Sequence, residues 1–411
     1  MSALWPREAW RRNQLVVGIA VFMVFTGFAF VLPFLPLYVR QLGVKSDEAA
    51  ALWAGVLIGI APLLAGLLAP VWGRLGDRYG QKRMAVRVLV SYVVLLALSG
   101  AVTDVWQLFA LRTAVGLFGG MGPLGLAMAT ALAPREQTGR AVGGIQSAQI
   151  LAAAVGPLSG GLLADTVGIR WTFVVTAAAC AVALVLLVLY FDEPPLAAAA
   201  DGQPREAFGD ILRIPGVVPL MAVLFVVNFI GRSFTPILPL HLQRLSVPSA
   251  SLAFATGALI SAYSVCAAVS AMLLGRATRR YGPRGLLLAT LVAGAALVAP
   301  MALVGQFPAL LALAVLLGLA SGGSLTLCYT IGGLMVPASR RTTAFGFFSG
   351  AALFGGAVSP SVAGLLTHFH LKTIYPVDAL LYVLLALALL PGTAAEVASA
   401  RAVAPASDGG V

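Results

Sequence analysis

Residues 73–83 read GRLGDRYGQKR, and apolar runs border them on both sides, at 50–72 and 84–103. Arg74, Arg78, Lys82 and Arg83 surround one carboxylate, Asp77. An ionised side chain costs about 3 kcal/mol at the centre of a bilayer. So charged a stretch is therefore expected in water, as a hairpin tip joining two helices that lie in lipid.

Composition extends that reading to the whole chain. Of the 411 residues, 60 % are apolar and 10 % charged, against about 25 % charged in soluble domains. The mean hydropathy is +0.97. The apolar residues come in runs of about 20, the length that crosses a bilayer core of roughly 30 Å as helix. A net charge of +11 is spread over many short loops rather than gathered on one face, which argues against a nucleic-acid partner. Cys180, Cys266 and Cys328 all fall inside apolar runs, so no disulfide framework is implied. The amino-terminal basic segment runs into a full-length span and is read as preceding a retained first helix, not as a signal peptide.

Twelve spans are predicted, at roughly 15–39, 50–72, 84–103, 106–130, 141–164, 170–190, 216–243, 251–275, 285–305, 308–334, 342–367 and 375–391. The one long connection, 192–215, divides six from six. The expected organisation is an amino-terminal six-helix bundle (1–191), a cytoplasmic linker (192–215), a second six-helix bundle (216–392) and a flexible cytoplasmic tail (393–411). With the amino end inside, nineteen of the 26 basic residues fall in inner segments and five in outer loops. This bias places both termini in the cytoplasm.

The two halves repeat each other. Pro33 and Pro36 recur as Pro236 and Pro239, an offset of 203. Pro134, Ala141, Gly143, Pro157 and Gly161 recur at the same step as Pro337, Ala344, Gly346, Pro360 and Gly364. The fold class is thus all-α and membrane-spanning, twelve helices in two pseudo-symmetric six-helix bundles.

The pattern through Gly73, Leu75, Asp77, Arg78, Gly80, Lys82 and Arg83 resembles the cytoplasmic signature between helices 2 and 3 of the major facilitator superfamily. Two parallel six-helix repeats are the architecture of that family. The resemblance implies a conformational latch at Gly73, Asp77, Arg78, Gly80 and Arg83. Its acid docks near the start of helix 11, here Thr342 and Thr343, when the transporter faces outward. The second copy has Arg279 in place of Asp77, so the latch is expected on one repeat only.

Three further motifs carry chemistry. Gly156, Pro157, Gly160 and Gly161 resemble the G-P-x-x-G-G motif of drug antiporters. Proline removes a helix hydrogen bond and glycine lets a backbone approach closely, so a hinge is expected there. Residues 108–116 resemble the family's L-x-x-R-x-x-x-G motif, whose arginine, Arg112, the resemblance links to proton coupling. By position Arg112 lies roughly 9 Å deep, facing a cavity or partner, or else snorkelling outward. Asn228 and Arg232 are four apart and share a helix face. Arg232 meets either an anionic substrate or a carbonyl or outer carboxylate. Phe25, Phe28, Phe229 and Tyr329 are candidates for an apolar substrate pocket.

No acid falls in the middle third of a span; Asp77, Asp165 and Asp378 sit at predicted helix ends. A cavity lined by Arg and Asn suits neutral or anionic molecules better than cations. The run 27–39 also resembles the first helix of twelve-helix bacterial drug:proton antiporters. That resemblance implies a non-enzymatic exporter of small, largely apolar compounds in the bacterial inner membrane. Alternating access coupled to proton influx would drive it. No cofactor or metal is expected, and the partners are substrate and lipid, with the protein a monomer. The alternative is a transporter of one small anionic metabolite recognised by the cavity arginines.

Overall fold

The computed structural model of the chain describes residues 9–133, 137–193, 212–278, 280–336 and 341–403. Most of the expected linker, the end of the expected tail, and the side chains of Asp77, Thr342 and Thr343 lie outside the described residues.

The first half contains α1 (Ala9–Val31), α2 (Leu35–Gln41), α3 (Asp47–Tyr79), α4 (Gln81–Ala101), α5 (Val105–Phe118), α6 (Met121–Leu132), α7 (Thr138–Val167) and α8 (Ile169–Tyr190). The second contains α9 (Val217–Ser233), α10 (Leu238–Arg244), α11 (Leu252–Ala277), α12 (Pro283–Val298), α13 (Phe307–Ser321), α14 (Ser324–Met335), α15 (Arg341–Leu366) and α16 (Ile374–Val403). Among the described residues, ten stretches are long and apolar enough to cross a membrane. Helices α9 and α10 form an eleventh, bent by 41°. The apolar part of α16, Ile374–Leu390, is a shorter apolar helix at the place of the twelfth expected span. Helix α16 continues through Val403, into the segment expected as tail from 393.

The breaks inside spans obey the repeat. The first span kinks at Leu32–Phe34, before Pro36, and its counterpart kinks between Ser233 and Leu238, before Pro239. Proline withdraws an N–H and clashes with the preceding turn, so both kinks follow from sequence. The fourth span breaks at Gly119 and Gly120, and the tenth at Gly322 and Gly323, again 203 apart.

The 73–83 stretch is not the open hairpin expected. Helix α3 is 33 residues long and continues to Tyr79, roughly 50 Å of helix against a core of roughly 30 Å. Its last two turns therefore stand in water, where Arg side chains suit a helix. Only Gly80 leaves the helix, at φ +96°, a value that glycine adopts without a Cβ penalty. At the other end, Ser46 caps α3 by accepting from the Ala49 N–H at 3.1 Å, with Asp47 and Glu48 in the first turn.

Within each half the helices pack through buried apolar faces, α1 against α7 and α8, α4 against α8, α9 against α15, and α11 against α13. The large exposed apolar side chains, such as Val90, Val94 and Leu98 on α4, stand on the lipid side. In a bilayer such a face needs no cover.

Candidate functional site

The most extensive helix interfaces in the molecule join the halves: α3 on α15 and α7 on α11. A Cβ added to Gly55 on α3 would lie 2.1 Å from the Pro360 carbonyl oxygen of α15. A Cβ added to Gly257 on α11 would lie 2.0 Å from the Pro157 carbonyl oxygen of α7. Gly364 abuts the backbone of Ala51, and Gly161 that of Ala253. These are two copies of one contact, because 55 and 257 differ by 202 and 157 and 360 by 203. Glycine is required here by close approach: with no Cβ, backbones meet and dispersion replaces a hydrophobic drive that lipid does not supply.

Polar contacts reinforce the same end. The Leu158 N–H, one residue past Pro157, donates to Ser261 Oγ at 3.0 Å. Ser361 Oγ donates to the Gly55 carbonyl at 3.3 Å. Asp165, at the end of α7, accepts from the Ala253 and Phe254 N–H groups at 3.2 and 2.7 Å. Its carboxylate therefore sits on the amino terminus of α11 in the opposite half, where unpaired N–H groups and the helix dipole favour negative charge. Asp47 holds Arg40 at 3.0 Å and Arg244 at 3.2 Å, and Arg40 also donates to Gln243.

At the other end, glycines on the same helices face open space. Gly66, Gly73, Gly143, Gly346 and Gly350 would bring an added Cβ within 4 Å of nothing. The molecule is thus shut where α3 begins and parted where α3 ends, on the side of residues 73–83. There, Gly73, Arg78 and Arg83 are exposed. The Glu193 carboxylate lies over Gly80 and accepts from the Lys82 N–H at 3.0 Å, and Lys82 Nζ donates to the Phe191 carbonyl at 2.6 Å. These contacts tie the stretch to the end of α8 in its own half.

The four residues of the G-P-x-x-G-G motif divide between two neighbours. Gly156 and Gly160 meet α1 at Ala29 and Phe30, inside the first half, whereas Pro157 and Gly161 meet α11 across the seam. Helix α7 runs unbroken through Pro157.

The two arginines are not brought together. Arg112 is 1 % exposed and donates from Nε to the Leu57 carbonyl at 2.9 Å, while Nη1 has no partner. Its guanidinium lies 5.9 Å from the Phe28 ring, which packs edge-on against Tyr92. This burial, inside the first half, sets aside the snorkelling alternative. Arg232 is exposed, and with Asn228 it borders Gly356 of α15, so the pair does share a face. Phe25 lies against Gly122, Phe229 stacks on Phe225 with centroids 6.3 Å apart, and Tyr329 stacks on Phe345 at 5.9 Å. A groove of about 770 Å³ beside Val247, Phe254 and Phe307 includes neither arginine.

Asp378 escaped the sequence reading as a helix-end acid. The structure buries it completely, with Oδ2 in hydrogen-bond contact with Ser233 Oγ and Oδ1 unpaired. Tyr382, one turn along α16, contacts Ser321 Oγ at 3.4 Å, and Tyr375 contacts His241 Nδ1 at 2.9 Å. The spacing of Asp378 and Tyr382 was legible; the polar groups opposite them come from distant segments.

A molecule built twice from one six-helix repeat, sealed at one end of the seam and parted at the other, is a secondary transporter by architecture. A family model described as the Major Facilitator Superfamily matches residues 17–262 and 245–407. "Multidrug resistance protein MdtG" of Proteus mirabilis (strain HI4320) is 33 % identical over 331 residues, 80 % of this chain and 82 % of that protein. The protein of the same name from Dickeya zeae (strain Ech586) is 34 % identical over 324 residues, 78 % of this chain and 79 % of that one. Among solved structures, a bacterial homolog to the human lysosomal transporter Spinster, inward-facing and occupied, superposes with a TM-score of 0.72 at 16 % identity, covering 96 % of this chain and 98 % of that one. The human organic anion transporter MFSD10 (TETRAN) gives 0.64 at 16 % identity, covering 93 % and 100 %. Both show likeness of fold. The chain belongs to the major facilitator superfamily.

Proposed function

We propose that this chain exports small, largely apolar compounds across the bacterial inner membrane by alternating access, as a multidrug efflux transporter coupled to proton influx. The observation that carries the mechanism is the doubled glycine–backbone seam, closed at one end while the same helices stand apart at the other. Two rigid six-helix bundles, 1–191 and 216–392, rock about that seam, joined by the 192–215 linker. The charge bias puts the open end and both termini in the cytoplasm, so this pose loads from inside. In the opposite pose the Asp77 carboxylate, with Gly73, Arg78, Gly80 and Arg83 around it, latches onto the start of α15. Gly156, Pro157, Gly160 and Gly161 let α7 follow α1 and α11 during the exchange. Arg112 holds the first half in register near the coupling step. The relatives named for multidrug resistance support the substrate class, and the protein works as a monomer.

The test is efflux of a lipophilic dye from cells or everted vesicles under an imposed pH gradient. Efflux that follows the gradient is expected; dye retention equal to that of cells lacking the protein would refute the reading. The exposed guanidinium of Arg232 supports a second reading, transport of a small anion. Arg232→Gln then abolishes selectivity for anions over neutral compounds, whereas an unchanged substrate profile removes that reading.

A further inference from the structure

We propose that Asp378 is the proton-carrying group of this transporter, neutral in the outer-closed form through a hydrogen bond to Ser233 and released beside Arg232. The inference rests on the proton-coupled reading above and assigns that coupling a site.

Burial carries it, and the hydrogen count accommodates it. Ser233 Oγ lies 2.9 Å from the Ile230 carbonyl oxygen and in hydrogen-bond contact with Asp378 Oδ2. A hydroxyl has one hydrogen, and a carbonyl is acceptor only. Ser233 Oγ stands in donor geometry to both acceptors, and its one hydrogen serves one of them at a time. With that hydrogen on the Ile230 carbonyl, which in the last turn of α9 is short of helical partners, the contact between the two remaining oxygens is bridged by a hydrogen on the carboxyl group. Asp378 is 0 % exposed, Oδ1 has no partner, and no cation pairs with it among the described residues. An isolated carboxylate in so dry a place is far costlier than the neutral acid.

Among the described residues no charged side chain touches Asp378, and Arg232 is the sequence neighbour of its partner Ser233. From α9 come Ser233 and Arg232; from α11, Tyr263, which is in electrostatic reach of both Arg232 and Asp378. Tyr375 and Tyr382 lie on α16 itself, and His241 of α10 is engaged by Tyr375. The only ionisable residue of α12 is Arg284, at that helix's opposite end, and the 299–302 segment has none. Lys372 donates to the Val304 carbonyl. Arg232, one residue from Ser233, is exposed and makes no side-chain hydrogen bond or ion pair among the described residues. On release the Asp378 O–H bond breaks, its electron pair stays on oxygen, and the proton passes to water. The carboxylate so formed takes Arg232 as its counter-ion, and protonation from the other side of the membrane frees the arginine again. Arg232 thereby reports the proton's presence to the cavity.

The test uses purified full-length protein in proteoliposomes with the neutral lipophilic dye Nile red as probe, alongside infrared spectroscopy in H2O and D2O. The wild type is expected to show a deuterium-sensitive carboxylic-acid C=O stretch that Asp378→Asn abolishes and Ser233→Ala shifts in frequency. Asp378→Asn is also expected to lose accumulation driven by a pH gradient while keeping Nile red binding. Accumulation in the wild type and Asp378→Asn alike that follows the gradient would overturn the assignment and leave proton coupling standing. A wild type indifferent to the gradient ends both. Should Asp378→Asn not fold, Ser233→Ala retains the carboxyl and decides by its band: an unshifted stretch, or none in the wild type, refutes the hydrogen bond.

Discussion

Gly257→Ala puts the seam under direct strain. The new Cβ would lie 2.0 Å from the Pro157 carbonyl oxygen, 2.7 Å from its carbon and 3.1 Å from the Leu158 Cα. Real Cβ atoms essentially never come within 3.0 Å of a heavy atom, so α7 and α11 must draw apart by about 1 Å, a distance set by ordinary van der Waals separation. The obstacle is backbone and cannot rotate aside. Overpacking of this kind costs about 1–3 kcal/mol, and it falls only on the form in which the seam is shut. With the seam parted, the methyl group meets nothing and alanine favours the helix by about 1 kcal/mol. The equilibrium should shift toward the outward-open form by roughly 5- to 150-fold. The measurement is the labelling rate of Ser361→Cys, a half-buried seam position, by a membrane-impermeant maleimide in a background lacking Cys180, Cys266 and Cys328. Gly55→Ala, the symmetry mate, should act in the same direction. Gly143→Ala, where an added Cβ meets nothing within 4 Å, should leave the rate alone. A folded Gly257→Ala protein labelled at the wild-type rate would show that this contact does not open during the cycle.

The other expectations are smaller or more local. Asp165→Ala removes two charge-assisted bonds to the α11 terminus and should favour the outward-open form by about 1 kcal/mol, read as faster labelling of the same cysteine. Arg112→Ala removes a charge-assisted bond to the Leu57 carbonyl, an expected loss of about 1.5–3 kcal/mol, visible as a lower melting temperature in detergent together with lost dye efflux. Asp77→Asn should lower efflux and slow labelling at Ser361→Cys, since its latch holds only the outward-open pose in which that position is exposed. Retained efflux in that variant would remove Asp77 from the mechanism.

Much of the architecture was legible because lipid imposes simple rules. Apolar runs of helix length and prolines recurring at 203 determine spans and symmetry by local chemistry alone. The same reading mistook 73–83 for an open turn, because charge marks exposure to water and not the end of a helix. It left open whether Arg112 faced a cavity or a partner and what Arg232 met; packing sealed the first inside its half and left the second exposed.

By itself, the chain determined that there would be two like-built sets of helices, with glycine and proline at stated positions along them. Only the tertiary structure decided what those glycines touch: Gly55 on Pro360 and Gly257 on Pro157, across the halves and 100 or more residues apart in sequence. It also decided that Asp378, at a helix end, lies dry against Ser233. The physical reason is that polarity and length act residue by residue, while close approach and desolvation depend on which distant segment arrives opposite.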